Sequence, residues 1–235
     1  MDLKGATLTW LGHATFLIEN AGKHILIDPF ITQNPKTPEK WKSNLPKMDL
    51  LLCTHGHGDH MADAIDIATK DQPVVIAMPE FCGWLGKKGV KNCAGMNKGG
   101  TQRPEGLGVA VTMVDARHSS GVQDGDNMIY AGEPCGYVLT FDSGLKIYHA
   151  GDTCVFGDMA IIRELYEPDV ALLPIGDHYT MGPKEAAYAA KLLQPKWLVP
   201  MHFGTFPVLT GTPAALKPLL PSGVELVEFE PGETK

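Results

Sequence analysis

Short apolar runs separated by polar, glycine-containing joints set the rhythm of the first part of the chain. Residues 6–11, 15–19 and 24–27 are β-rich, and the joints Gly12-His13-Ala14 and Asn20-Ala21-Gly22-Lys23 between them predict an antiparallel meander. Asp28-Pro29 breaks the pattern. Residues 30–47, rich in Pro, Asn and Lys and without a period, predict a surface loop able to reach over a site. Leu50-Leu51-Leu52-Cys53 is continuously apolar, which suits a strand buried on both faces. Behind it Met61, Ala64, Ile65 and Ala68 recur at helical spacing, so Asp59 and His60 fall at a helix N-terminus, where a carboxylate can act as a cap.

Strand and helix then alternate. Residues 73–77 predict a strand and 79–86 a short helix, while 92–108, with five glycines, predict a loop. The weakly alternating stretch 109–116 hands over to Arg117-His118-Ser119-Ser120-Gly121, and the polar stretch 122–134 is a second candidate lid. Residues 136–141 and 145–149 pair as a hairpin through Asp142-Ser143-Gly144, and the second strand runs into Ala150-Gly151-Asp152-Thr153. Met159, Ile162 and Tyr166 mark a helix, 170–174 a strand, and 183–193 a helix begun by Pro183 and ended before Pro195. A strand over 197–200 delivers Met201-His202-Phe203-Gly204, Thr212-Pro213 starts another helix, and 224–229 form a terminal strand.

With 235 residues, 44% of them hydrophobic, the chain can bury a substantial core and reads as one α/β domain over 1–235, built of two similar halves with no low-complexity linker. A net charge of −7 disfavours a nucleic-acid partner, which calls for a basic face. Five scattered cysteines, Cys53, Cys82, Cys93, Cys135 and Cys154, contain no Cys-x-x-Cys pair and read as reduced thiols. The N-terminus lacks the features of a signal peptide and no apolar run is long enough for a membrane span, so a cytoplasmic protein acting on a small-molecule substrate is expected. The number of subunits is not written in the sequence, and a homo-oligomer stays open.

The chemistry is concentrated in Thr54-His55-Gly56-His57-Gly58-Asp59-His60. Imidazole and carboxylate are the ligands that zinc, manganese or iron select, and the alternate spacing lets His55 and His57 share one site while Asp59 and His60 reach a second ion beside it. Three further loops, each following a predicted strand, present His118, Asp152 and His202. Ligands gathered at the carboxyl ends of strands are where open α/β sheets bind.

This set resembles the metallo-β-lactamase superfamily, whose pattern His-x-His-x-Asp-His followed by His, Asp and His is met at all seven positions. The resemblance implies a four-layer αββα sandwich with two divalent metal ions in the crevice between the sheets. Carried over, His55, His57 and His118 would hold the first ion, Asp59, His60 and His202 the second, and Asp152 would bridge them. The reaction implied is hydrolysis by a metal-bridged hydroxide, with Asp59 orienting it or accepting its proton. The stretches Trp10-Leu11-Gly12-His13, Ile27-Asp28-Pro29-Phe30, Tyr148-His149-Ala150-Gly151-Asp152-Thr153 and Pro174-Ile175-Gly176-Asp177-His178-Tyr179-Thr180-Met181-Gly182-Pro183 look like metal-dependent hydrolases of the UPF0173 type. That group lies near the ascorbate-phosphate lactonase and N-acyl-phosphatidylethanolamine phospholipase D branches, which implies ester, lactone or phosphodiester substrates.

His178, after a strand and in a Gly- and Thr-containing loop, is expected to line the substrate pocket as a second catalytic residue. His13 and His149 read as histidines that support the ligands or fill the core rather than bind metal, Cys154 as a small buried residue, and Asp28 as a support for the ligands or a turn cap. The rivals are a redox di-iron protein, whose resembling members carry Glu where His57 stands, and a non-catalytic metal-binding module, which would be expected to have lost ligands.

Overall fold

The computed structural model describes every residue, Met1–Lys235. Its first half runs β1 (Thr7–Gly12), β2 (Thr15–Asn20), β3 (Lys23–Ile27), α1 (Glu39–Ser43), β4 (Leu50–Leu52), α2 (Gly58–Met61), α3 (Ala64–Asp71), β5 (Val74–Ala77), α4 (Pro79–Lys87) and β6 (Cys93–Gly95). The second half runs β7 (Thr101–Gln102), β8 (Val109–Asp115), β9 (Gly121–Asp124), β10 (Asn127–Tyr130), β11 (Cys135–Phe141), β12 (Lys146–His149), α5 (Met159–Tyr166), β13 (Val170–Pro174), α6 (Pro183–Leu193), β14 (Trp197–Met201), α7 (Pro213–Leu216) and β15 (Glu225–Leu226).

Strands β1 to β6 form one sheet in sequence order, antiparallel through β3 and parallel from β3 onward. The second sheet has the order β15-β14-β13-β12-β11-β8-β7, with the four strands from β12 to β15 parallel and the rest antiparallel. Both halves therefore turn from a meander into parallel strands. Ala21 and Gly22, at φ 50° and 73°, make the two-residue turn that locks Asn20 opposite Lys23. Leu50, Leu51 and Leu52 are all at 0% exposure, as a strand covered on both faces requires.

The two sheets share one apolar core. Tyr137 on β11 donates its hydroxyl across the gap to the carbonyls of Cys53 (2.8 Å) and Ile76 (3.1 Å), and the Cys135 amide donates to Thr54 O at 3.0 Å. Helix α4 packs on β5 and β6, α6 on β13, and α5 on α6, giving the expected α/β sandwich of the metallo-β-lactamase type. The buried stripe Ala186, Ala187, Ala189, Ala190 lets α6 sit close to its sheet. No helix is long and apolar enough to cross a membrane.

Several local expectations are corrected. Residues 122–134, expected as an irregular polar stretch, contain the hairpin β9–β10, turned through Gly125-Asp126; its outward positions are polar or exposed, which hid the alternation. The stretch 30–47 carries α1, and its start is tied down by Asp63, whose carboxylate accepts from the amides of Ile31 and Thr32 and the Thr32 hydroxyl. The stretch 92–108 contains β6 and β7, and the terminal strand shrinks to Glu225–Leu226. The five cysteines are not all thiols: Cys82 on α4 and Cys93 on β6 are disulfide-bonded, brought together because the helix packs back on the strand. Cys154 is exposed, not buried. Asp59 does not cap its helix; its carboxylate turns to His13 instead.

Candidate metal centre

Strand β4 ends at Leu52, and the turn that starts at Thr54 is fixed from below by Asp28, just after β3. Asp28 is fully buried, at φ 50°, and its carboxylate accepts from the Thr54 amide (2.7 Å), the Thr54 hydroxyl (2.7 Å) and His60 Nδ1 (2.8 Å). With its oxygens so engaged, Asp28 supports the site rather than ligating, and it commits His60 to carry its proton on Nδ1 and present Nε2 to the cluster. Gly56 sits where a Cβ would lie 2.7 Å from Val122 and 2.9 Å from Ala131, so only glycine lets the His55–His57 turn pass under the β9–β10 hairpin.

The structure brings all seven expected ligands together. Donor atoms of His55, His57 and His118 lie within 4.8 Å of one another, as do those of His13, Asp59, His60 and His202. Asp152, delivered by β12, stands between the two groups. Its Oδ2 is 3.0 Å from His202 Nε2, 3.6 Å from His118 Nε2 and 4.0 Å from His55 Nε2, and its Oδ1 is 3.3 Å from His60 Nε2. Yet His60 Nε2, Asp152 Oδ1 and His202 Nε2 are buried with no hydrogen-bond partner. Buried polar atoms left so cost about 1–3 kcal/mol each. Divalent cations among these nitrogen and oxygen donors would satisfy them, so the residues present fit a metal.

Charge follows the same layout. Burial, reinforced by the neighbouring His60, holds His55 well below the ordinary imidazole range, and burial likewise lowers His57 and His118. Neutral imidazoles are the form that binds metal. Burial opposes ionisation of Asp152, but the adjacent His202 and His60 overcome it and hold the carboxyl well below its usual range; His60, against Asp152 and Asp28, is raised despite its burial. Asp59 is also held low, where His13 and His60 outweigh burial, and at 32% side-chain exposure it is far more open than Asp152 at 3%.

His178 is not brought into the cluster. It is exposed on the loop after β13, its amide bonded to Asp177 Oδ1 at 2.8 Å and its ring edge-on to Tyr179. Asp177 and His178 are both left-handed, at φ 65° and 60°, as are His13 (57°), Asp28 (50°) and His202 (55°). Backbone outliers of this kind, held by surrounding structure, concentrate at functional sites. His149 is a satisfied core histidine, with Nε2 on Ala14 O and Nδ1 accepting from the Gly151 amide. His13 touches the cluster directly, and Thr205, which holds it, carried no sequence signal at all.

The description "Beta-lactamase superfamily domain" matches residues 23–203. A UPF0173 metal-dependent hydrolase of Koribacter versatilis is 57% identical over the whole chain and 99% of its own length; another from Rubrobacter xylanophilus is 53% identical over 90% of this chain and 87% of its own. Among solved structures, a metallo hydrolase from the hyperthermophilic archaeon Ignicoccus hospitalis superposes with a TM-score of 0.87 at 39% identity, covering 98% of this chain and 97% of that one. With its cluster and its sandwich accounted for alike, the chain belongs to the UPF0173 metal-dependent hydrolases of the β-lactamase superfamily.

Proposed function

We propose that this metal-dependent hydrolase works with two divalent ions on a small ester, lactone or phosphodiester. The carrying observation is the placement of Asp152 between two donor groups, with unpartnered buried atoms on either side of it. His55, His57 and His118 would hold one ion, Asp59, His60 and His202 the other, and Asp152 both. When bound, such ions, zinc first and manganese or iron as alternatives, supply Lewis acidity and hydroxide at neutral pH.

The chain's own residues do the rest. Asp59 is the one carboxylate of the cluster that solvent reaches, and with its ionised form favoured it orients an attacking water by accepting its hydrogen rather than by storing a proton. Asp28 holds His60 in the tautomer that faces the cluster. His178 and Tyr179, on a strained loop whose Met181 amide is bonded to Thr153 O beside Asp152, contact the substrate from the rim. The substrate classes are those implied by the resemblance of the sequence to the lactonase and phospholipase branches.

The test is hydrolysis of two chromogenic probes, a lactone and a phosphodiester, by metal-reconstituted protein, with Asp59→Asn as control. Turnover of either probe that falls in the control is expected. Turnover of neither by fully loaded protein would overturn the substrate classes, and turnover unchanged in the control would overturn the role of Asp59.

A further inference from the structure

We infer that His13 is a positioning residue for Asp59, acting as the middle link of a Thr205–His13–Asp59 relay rather than as a metal ligand. His13 is fully buried. Its carbonyl accepts from the Trp10 indole and from the His202 amide, both at 2.9 Å, which pins its backbone to the first sheet and to a ligand of the second. Its ring lies 3.9 Å, centroid to centroid, from that of His202, with the edges of Phe30 and Phe206 on other sides. Only the two ring nitrogens remain to be assigned.

Nε2 is 3.1 Å from Asp59 Oδ2, and Nδ1 is 2.9 Å from Thr205 Oγ1. Two separate facts fix the protons. A bare nitrogen lone pair cannot face a carboxylate oxygen at that distance without repulsion, so Nε2 carries hydrogen and donates. On the other side, the Thr205 hydroxyl has one rival acceptor, Phe203 O at 3.5 Å, too long to compete, so it donates to Nδ1. Both ends select the same tautomer. By distance alone His13 belongs to the group that could surround an ion, but the proton on Nε2 removes it from the donor set.

The consequence falls on Asp59. Oδ2 of this carboxylate has no other hydrogen bond, and the side chain is 32% exposed, so without His13 it is free to rotate into solvent. The relay holds Oδ2 and leaves Oδ1 to ligate. The inference rests on the proposal that Asp59 is a ligand, and the experiments separate the two.

Zinc alone is titrated into metal-free wild type and variants against a competing chelator, resolving the two affinities. His13→Ala is expected to weaken one of the two zinc ions by about 10- to 100-fold and leave the other unchanged. His13→Gln, whose amide nitrogen reaches the place of Nε2, recovers most of that loss. His13→Asn does not, although asparagine tolerates the left-handed backbone at φ 57° better, so a merely structural role for His13 would rank the two variants the other way. Asp59→Asn is run beside them: a loss there without one in His13→Ala overturns the relay alone, and no loss in either overturns the ligand reading. Independently of metal, nitrogen shifts of the imidazole in metal-free wild type should show Nε2 protonated and Nδ1 bare, and Thr205→Val should keep the proton on Nε2 while shifting the Nδ1 signal that loses its hydrogen bond; a proton on Nδ1 alone would overturn the relay.

Discussion

Asp28→Asn replaces one oxygen by nitrogen at the buried foot of the site. In the wild type one carboxylate accepts three hydrogen bonds, two from Thr54 and one from His60 Nδ1. An asparagine can keep its oxygen under the Thr54 amide. Its NH2 then takes the place of Oδ2, where Thr54 Oγ1 can adapt by accepting from it. His60 cannot adapt: its Nδ1–H meets another donor. The ring must shed that proton and carry one on Nε2, the atom that faces Asp152 at 3.3 Å. A hydrogen bond to a charged group is worth about 1.5–3 kcal/mol, or about 10- to 100-fold, the range in which supporting partners of metal ligands act. Chelator competition should therefore show zinc bound about 10- to 100-fold more weakly at the position His60 serves, with the fold intact by circular dichroism. Zinc affinities within twofold of wild type would refute the reasoning that Asp28 sets the His60 tautomer.

His178→Ala should lower turnover of the responsive probe while metal content stays at the wild-type level; loss of metal instead would place His178 inside the centre, and unchanged turnover would remove it from the pocket. Gly56→Ala drives a Cβ into Val122 and Ala131, and overpacking of about 1–3 kcal/mol should lower Tm by about 2–12 °C in differential scanning calorimetry. Asp169 accepts from Lys196 Nζ (2.8 Å) and the Lys146 amide (3.1 Å), and these outweigh partial burial to lower its pKa. A carboxyl depressed in the fold stabilises above its unfolded pKa, about 3.9, and that contribution disappears as pH falls through the folded value. Urea unfolding should accordingly show Asp169→Asn less stable than wild type at neutral pH and the gap closing under acid; a gap independent of pH would contradict this.

The ligand set was legible because each ligand-bearing loop follows a predicted strand, and because four of the seven crowd into six consecutive positions, 55–60. The strands β4 and β14 lie parallel to their neighbours and are almost wholly buried, so their hydrophobic runs are continuous and their ends easy to find. What escaped notice depends on contacts between distant residues or on exposed pairing. Thr205 is 192 positions from His13, and a lone threonine announces nothing until β14 brings it there. The β9–β10 hairpin exposes Met128 and Tyr130 instead of burying them, so no hydrophobic alternation marks it. Cys82 and Cys93 are 11 residues apart with no motif between them, and only the packing of α4 against β6 makes them neighbours. His178 stood out as chemistry, but it lies exposed on the loop after β13 and outside the cluster, which no local pattern foretells.

Elemental analysis of zinc-reconstituted protein, wild type beside Asp152→Ala, tests most directly the claim that two ions share one bridging carboxylate. Two ions per chain in the wild type, with binding and turnover both lost in Asp152→Ala, is the result expected from a carboxylate lying between His60, His118 and His202. One ion in the wild type, or full turnover by Asp152→Ala, would contradict it.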